Sequence, residues 1–364
     1  MELRTPGLPD FPWDTIADDI ALAESYAGGA CDLSVGTPVD PTPAIAQEAL
    51  AAAADSPGYP AVWGTAGVRA AIAGYARTRW SAPELGERNV MPVIGAKELV
   101  GWLPVLMGLG PGDTVVIPEV AYPTYDVGAV MVGAKVVRAG SPAEVEDLSP
   151  ALVWTNSPSN PSGRIESADE VAAWVAYARD KGALLAADEC YAEFGWEAEP
   201  VSILDSRVNG GSLDGLLAVF SMSKRSNLAG YRAGFVVGDA GVVMPLVGIR
   251  KHLGMMVSGP VQAAMTVLLG DQTHVNEQRK RYLARRNVLS SALVNAGFRI
   301  DGSEGGLYLW ATRDEPGRTT SHWLAERGII VAPGDFYGPA GANHVRIALT
   351  ATDERIAQAA SRLK

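Results

Sequence analysis

Hydrophobic positions in the middle of this chain fall in short unbroken runs rather than in alternation. Residues 90–94, 114–118, 135–138, 151–155, 183–187, 216–220 and 233–237 each read as a strand with both faces covered. Between two of these runs the period changes. Ser167 and Glu170 make a capping box, Val171, Trp174, Val175 and Ala178 share one apolar face, and Gly182 ends the segment. Strands alternating with helices in this way predict an α/β fold whose large domain has a mainly parallel seven-stranded sheet between helices.

Beyond about residue 265 the texture changes. Residues 273–296 read as one long helix rich in Arg and Lys, followed by "FRIDGSEGGLYLWAT", a helical stretch near 320–327, and "HVRIALTAT". Few, separated strands of this kind suit a smaller α+β domain. The first 35 or so residues do not fit the central pattern and are assigned to the same small domain. The expected division is 1–38 joining the small domain, 39–265 for the large domain and 266–364 for the small domain.

Composition narrows the function. The chain has 364 residues, 48% hydrophobic and 20% charged, as in ordinary globular proteins. Its net charge of −11 is wrong for gripping a phosphate backbone, so "RKRYLARR" in the long helix reads as a solvated face and no nucleic-acid partner is expected. The two cysteines, Cys31 and Cys190, and the histidines 252, 274, 322 and 344 have no metal-ligand spacing, so reduced thiols and no metal are expected. "MELRTPGLPDFPWDT" lacks the apolar run of a secretory signal. "LVGWLPVLMGLG" contains Pro104 and falls short of the roughly 20 residues that span a bilayer. A cytoplasmic location without a membrane partner is expected.

Open α/β sheets bind ligands beyond the carboxyl ends of their strands. The polar residues in those positions are Gly95, Ala96 and Lys97 after "VMPVI", Tyr122 after "VVIPEVA", Asn156 to Asn160 after "ALVWT", Asp188 and Tyr191 after "ALLAA", and Ser221 to Lys224 after "LLAVF". "GLGPGD" precedes a strand instead of opening a helix after one, so it is a turn and not a nucleotide loop. "GGLYLW" is set aside as a strand start.

The set resembles the pyridoxal-phosphate aminotransferases of fold type I, class I/II, over nearly the whole chain. The resemblance rests on "SVGTP", "YPAVWGTAGVR", "GAKE", "AYPTY", "NSPSNPSG", "ADECYAEF", "SMSKRSNLAGYRAGF", "APGDFYG" and "VRIALT", in that order. It implies pyridoxal 5′-phosphate as cofactor, amino-acid and keto-acid substrates, and a homodimer with shared active sites. Lys224 would carry the cofactor aldehyde, because a lysine beside a cationic ring and out of bulk water serves as nucleophile and then as base. Asp188 would keep the pyridine nitrogen protonated, and Asn160 and Tyr191 would hydrogen-bond the cofactor's phenolic oxygen. The phosphate would sit at the helix start made by Gly95, Ala96 and Lys97, between Ser221, Ser223 and Arg232. Ala96 stands where the family more often has a hydroxyl residue, so one hydroxyl contact is absent or comes from elsewhere. Tyr122 would stack on the ring, although an aromatic there also suits ordinary core. Tyr59 would reach the phosphate of the second subunit, or stand as a surface turn residue. Arg346 would grip the substrate carboxylate as a planar fork, with Gly36 and Asn160 beside it.

Within the family, "SMSKRSNLAGYRAGF" and "KHLGMMVSGPVQ" are most similar to actinobacterial-type N-succinyldiaminopimelate aminotransferases, which implies glutamate as donor in the route to diaminopimelate and lysine. Such a substrate carries a remote carboxylate. Arg225, Arg250 and Lys251 are the candidate partners, and each could equally be an ordinary surface charge. The same cofactor motifs suit an aromatic, branched-chain or aspartate-type aminotransferase or a carbon–sulfur lyase. An aminotransferase-like ligand-sensing module would need a DNA-binding segment that is not evident here.

Overall fold

The computed structural model describes residues 7–364. Seven strands form one sheet: β1 (Val90–Val93), β2 (Thr114–Pro118), β3 (Lys135–Ala139), β4 (Leu152–Asn156), β5 (Leu184–Asp188), β6 (Leu216–Ser221) and β7 (Gly234–Gly238). Their order is β1-β7-β6-β5-β4-β2-β3. β7 runs antiparallel to both of its neighbours, and the other pairs are parallel. Fold class and strand positions match the expectation to within a residue or two.

The unbroken apolar runs have a direct cause. Along β6, Leu216, Ala218 and Phe220 enter one core, shared with the helices Ala66–Trp80 and Ala168–Lys181. Leu217 and Val219 enter a second core on the opposite face, with the helix Ala96–Leu106. A period of two with both faces buried leaves no polar position to mark the alternation. The helix Ala168–Lys181 carries the expected Ser167–Glu170 capping box and ends at Gly182 in the left-handed conformation.

A second, antiparallel sheet holds Ala332–Pro333, Val345–Ala348, Tyr308–Thr312 and Arg299–Asp301 in that order. Cys31–Asp32 pairs in parallel with Ile329–Ile330, so the chain before the large sheet lies against the C-terminal part. The expected N-terminal segment begins at residue 1, and its residues 1–6 lie outside the described residues. The helix Gly259–Gly270 runs across residue 265 and packs on the helices Ala44–Ala52 and Ala66–Trp80 of the large domain. Among the described residues no helix is long and apolar enough to cross a membrane.

The helix Thr273–Asn295 corrects one expectation. Its basic run is not simply a solvated face. Arg285 is buried and makes paired contacts of 2.8 and 2.7 Å to Asp40, plus one of 2.6 Å to Asp353. Arg286 pairs with Glu197, and Arg279 donates to the Gly195 carbonyl. These arginines tie the helix to the rest of the chain, and a buried guanidinium needs such partners.

Candidate active site

The strands parallel to β6 end at one edge of the sheet, and their last residues open on one cleft. β6 ends in Ser221, whose Oγ accepts from the Ser223 amide at 3.2 Å and starts the single helical turn Met222–Arg225 that carries Lys224. Because β7 runs the other way, it begins where β6 ends. Arg232, just before it, is therefore brought to the same edge, in the left-handed conformation at φ 54°. In one row across three strands lie Ser221, Gly234 and Val93.

Gly95 follows β1 with φ +80° and caps the helix Ala96–Leu106. A Cβ there would stand 2.6 Å from Nη2 of Arg232, so only glycine lets the guanidinium approach the helix start. The unpaired N–H groups of that helix, its dipole and Arg232 make a cradle for an anion. Lys97 stands exposed on the first turn, its ammonium 5.9 Å from the Tyr122 ring centroid.

Asp188 ends β5 and is buried. Its Oδ2 accepts from the Tyr125 hydroxyl at 2.8 Å and its Oδ1 from the Cys190 amide at 3.1 Å. Burial pushes the carboxyl above the usual aspartate range, while the contacts with Cys190 and Tyr125 and the Lys224 charge pull it back. Asn156, at the end of β4, donates to the Asp188 carbonyl at 2.8 Å and accepts from the Asn160 amide at 2.7 Å. Asn160 in turn accepts from Nη1 of Arg346 at 2.8 Å.

Arg346 reaches the cleft from the second sheet. It is buried, donates also to the Ser34 carbonyl, and its Nε has no partner among the described residues. Lys224 donates to the Gly36 carbonyl and lies 6.0 Å from the Tyr191 ring centroid. The Tyr191 hydroxyl is 2.9 Å from that of Tyr308. Gly36 is required by the same contact: a Cβ there would lie 2.0 Å from the Tyr308 hydroxyl.

The cleft thus collects Gly36, Gly95, Ala96, Lys97, Tyr122, Asn160, Asp188, Tyr191, Ser221, Ser223, Lys224, Arg232 and Arg346 from distant parts of the chain. Tyr59 is different: it is 99% exposed, and its side chain has no hydrogen bond to these residues. Two candidates for a remote carboxylate are corrected. Arg225 turns into the interior and pairs with Glu193 at 3.1 Å. Arg250 is wholly buried and holds Glu98 at 2.9 and 3.1 Å. Neither guanidinium is free, because parting it from its carboxylate would leave a buried charge uncompensated. Lys251 is exposed on the helix Ala240–Leu253.

Three residues were missed from sequence. Tyr125 sits in the quoted "AYPTY", where its spacing from Tyr122 gave no reason to choose it. Asn156 was noted after its strand but given no role. Tyr308 was set aside within "GGLYLW" as a strand start, which it is, and its hydroxyl also enters the cleft.

Glu189, next to Asp188, yields a stability prediction. Burial pushes its carboxyl up to about 8 from the ordinary glutamate value. Between roughly pH 4.5 and 8 the folded chain keeps a proton that the unfolded chain has released, so stability falls as pH rises through that window. Glu189→Gln keeps the shape without the titration. Its Tm should fall less than the parent's between pH 5 and 8, by a few degrees. An unchanged slope in a calorimetric pH series would count against a buried neutral carboxyl.

The residues fit the cofactor that the motifs imply. An anion cradle that a single Cβ would fill, a buried carboxylate and an amine open on the same cleft. Residues 29–363 match the family described as "Aminotransferase class I and II". The chain is 57% identical over 356 residues to "Probable aminotransferase Rv1178" of Mycobacterium tuberculosis, covering 98% of this chain and 85% of that protein. It is 53% identical to the 4-dedimethylamino-4-oxo-anhydrotetracycline transaminase OxyQ of Streptomyces rimosus, covering 98% and 99%. An LL-diaminopimelate aminotransferase of Dehalococcoides mccartyi is 29% identical, covering 100% and 98%. A solved aminotransferase from Neisseria meningitidis superposes with a TM-score of 0.89 at 27% identity, covering 98% and 97%. The chain therefore belongs to the class I and II aminotransferases, and it is a pyridoxal-phosphate-dependent transaminase of fold type I.

Proposed function

We propose that this transaminase moves an amino group from glutamate to N-succinyl-2-amino-6-ketopimelate, giving N-succinyl-LL-2,6-diaminopimelate. The observation that carries the reading is a pair of cations, Arg346 bound to Asn160 and Lys97 over the Tyr122 ring. Arg346 is buried with an unpartnered Nε and holds Asn160 at 2.8 Å. Lys97 is exposed over the same ring and has no carboxylate within ion-pair distance among the described residues. A substrate with one carboxylate at the reacting carbon and others farther off suits such a pair. The wording of "SMSKRSNLAGYRAGF" and the diaminopimelate relative support the same choice.

The cofactor, when bound, supplies the aldehyde that accepts the amino group and a ring that withdraws electrons from the bond being broken. Asp188 would keep a proton on the ring nitrogen. Arg232, Ser221, Ser223 and the amides of the helix start at Gly95, Ala96 and Lys97 would bind the phosphate. Asn160 and Tyr191 would hydrogen-bond the phenolic oxygen, and Tyr122 would lie against the ring. Arg346, with Gly36 and Asn160 beside it, orients the substrate carboxylate. Lys224 would hold the aldehyde until the substrate amine takes its place, and the freed Lys224 amine would then take the proton from the substrate Cα and pass it to the former aldehyde carbon. Tyr59, exposed in the single chain, would reach the phosphate of a second copy in a homodimer. Two unpaired thiols suit a reducing cytoplasm.

The test uses purified protein loaded with pyridoxal phosphate. Glutamate should bleach the visible band, and N-succinyl-2-amino-6-ketopimelate should restore it with the succinylated amine detected by mass. Failure of that acceptor, with restoration by a ring ketone, would favour a second reading. That reading, amination of a polycyclic ketone, follows from the 53% identity to OxyQ. Lys97→Ala should raise KM for the succinylated acceptor by roughly three- to tenfold, with little change for pyruvate. Equal effects on both acceptors would show that Lys97 does not read the remote carboxylate.

A further inference from the structure

We propose that Tyr308 is a positioning residue for Tyr191: it donates its hydroxyl proton to the Tyr191 oxygen, and so turns the Tyr191 proton towards the cofactor's phenolic oxygen. This rests on the role given to Tyr191 above. The two phenols are both buried, with hydroxyls 2.9 Å apart and ring centroids 5.5 Å apart at 70°. Two hydroxyls in contact share one hydrogen bond, so one proton is left over. Which residue keeps it decides whether Tyr191 can donate elsewhere.

The surroundings of Tyr308 favour its hydroxyl as the donor. The Arg346 guanidinium lies 4.1 Å over the Tyr308 ring. Gly36, whose carbonyl accepts from Lys224, packs against the Tyr308 hydroxyl. A phenol beside a cation is the better donor, and Arg346 stays over the Tyr308 ring when Lys224, 6.0 Å from the Tyr191 ring, is taken up by the cofactor. Tyr308 therefore donates, Tyr191 accepts, and the Tyr191 proton is free. Hydrogen bonds in series also strengthen one another.

The fold joins this relay to the substrate arm. Trp310 pairs directly with Arg346 across the second sheet, and Tyr308 is two residues away on the same face. Movement of the arm that carries Arg346 moves Tyr308 with it. The donor behind Tyr191 and the grip on the substrate carboxylate thus belong to one rigid strand pair, whereas Tyr191 belongs to the large sheet domain.

The test is a pH titration of the visible absorbance band of the loaded protein, without substrate. Tyr308→Phe keeps the ring and removes one hydroxyl. Weaker donation to the phenolic oxygen disfavours the form that carries negative charge there, so the midpoint should rise by about half a unit to one unit. Tyr191→Phe should raise it at least as far, and Tyr191→Phe with Tyr308→Phe should match Tyr191→Phe alone, because the relay is then already broken. If Tyr191→Phe shifts the midpoint and Tyr308→Phe does not, or if the two shifts add in full, the positioning role is overturned. If Tyr191→Phe itself leaves the midpoint in place, the role of Tyr191 fails first. A purely structural role for Tyr308 would lower Tm without moving the midpoint.

Discussion

Lys224→Ala is expected to lower kcat with glutamate by on the order of 10⁴-fold or more, the upper range for loss of a single general base. The expectation follows from what the substitution leaves alone. Alanine is the best helix former, so the turn Met222–Arg225 is kept. Ser221, Ser223 and Arg232 stay at the sheet edge, and Asp188 keeps its contacts with Tyr125 and Cys190. The variant should therefore fold and bind pyridoxal phosphate, with loss confined to the chemistry of one amine. Rate assays should be paired with borohydride trapping and peptide mapping. In the parent the trapped adduct should lie on Lys224, and in the variant it should vanish. A parent adduct on Lys97 or Lys251, or turnover in the variant near the parent rate, would overturn the assignment.

Asp188→Asn should produce the next largest loss, on the order of 10²–10³ in the rate of the half-reaction with glutamate, as for removal of one preorganised electrostatic partner. Asparagine has nearly the same shape but keeps one acceptor oxygen and turns the other into an NH2 donor, so it removes the charge together with one of the contacts to Tyr125 or Cys190. The carboxylate sits at the end of a fully buried strand, and burial pushes its carboxyl up. It needs a cation to stay ionised, and in the proposed reading a protonated ring nitrogen would be that cation. With asparagine the nitrogen loses the partner that keeps its proton, and the ring withdraws electrons less well. Cofactor affinity should fall about tenfold to a hundredfold, the range for one charged hydrogen bond. The check is stopped-flow absorbance after adding glutamate, together with titration of apoprotein with cofactor. A half-reaction at the parent rate would show that the ring nitrogen is not the partner of Asp188.

Much of the fold was legible because its signals are local. The strands of the large sheet are contiguous apolar runs, and the helix Ala168–Lys181 announces both of its ends within its own residues. The site was legible as far as its residues sit directly after strands: Asp188, Ser221 and Lys224 lie at or just beyond a strand's last residue. The misses concern pairs that no local pattern encodes. Tyr125 meets Asp188 across 63 residues, and Tyr308 meets Tyr191 across 117. Arg250 looked free in sequence because its partner Glu98 is 152 residues away. Arg225 is adjacent to Lys224 in sequence, yet a single helical turn points the two side chains to different sides.

The sequence alone therefore determined the sheet, the alternation of helices around it and the amino acids available to the cleft. Each depends on periodicity or on the residues next to a strand end. Only the tertiary structure decided which arginines are free and which tyrosines touch. The reversed direction of β7 sets Arg232 against Gly95. The antiparallel pairing of Tyr308–Thr312 with Val345–Ala348 carries Tyr308 and Arg346 into the cleft together. A side chain's partner is fixed by where distant backbone segments meet, and burial then turns that meeting into charge and proton placement that no short stretch of chain specifies.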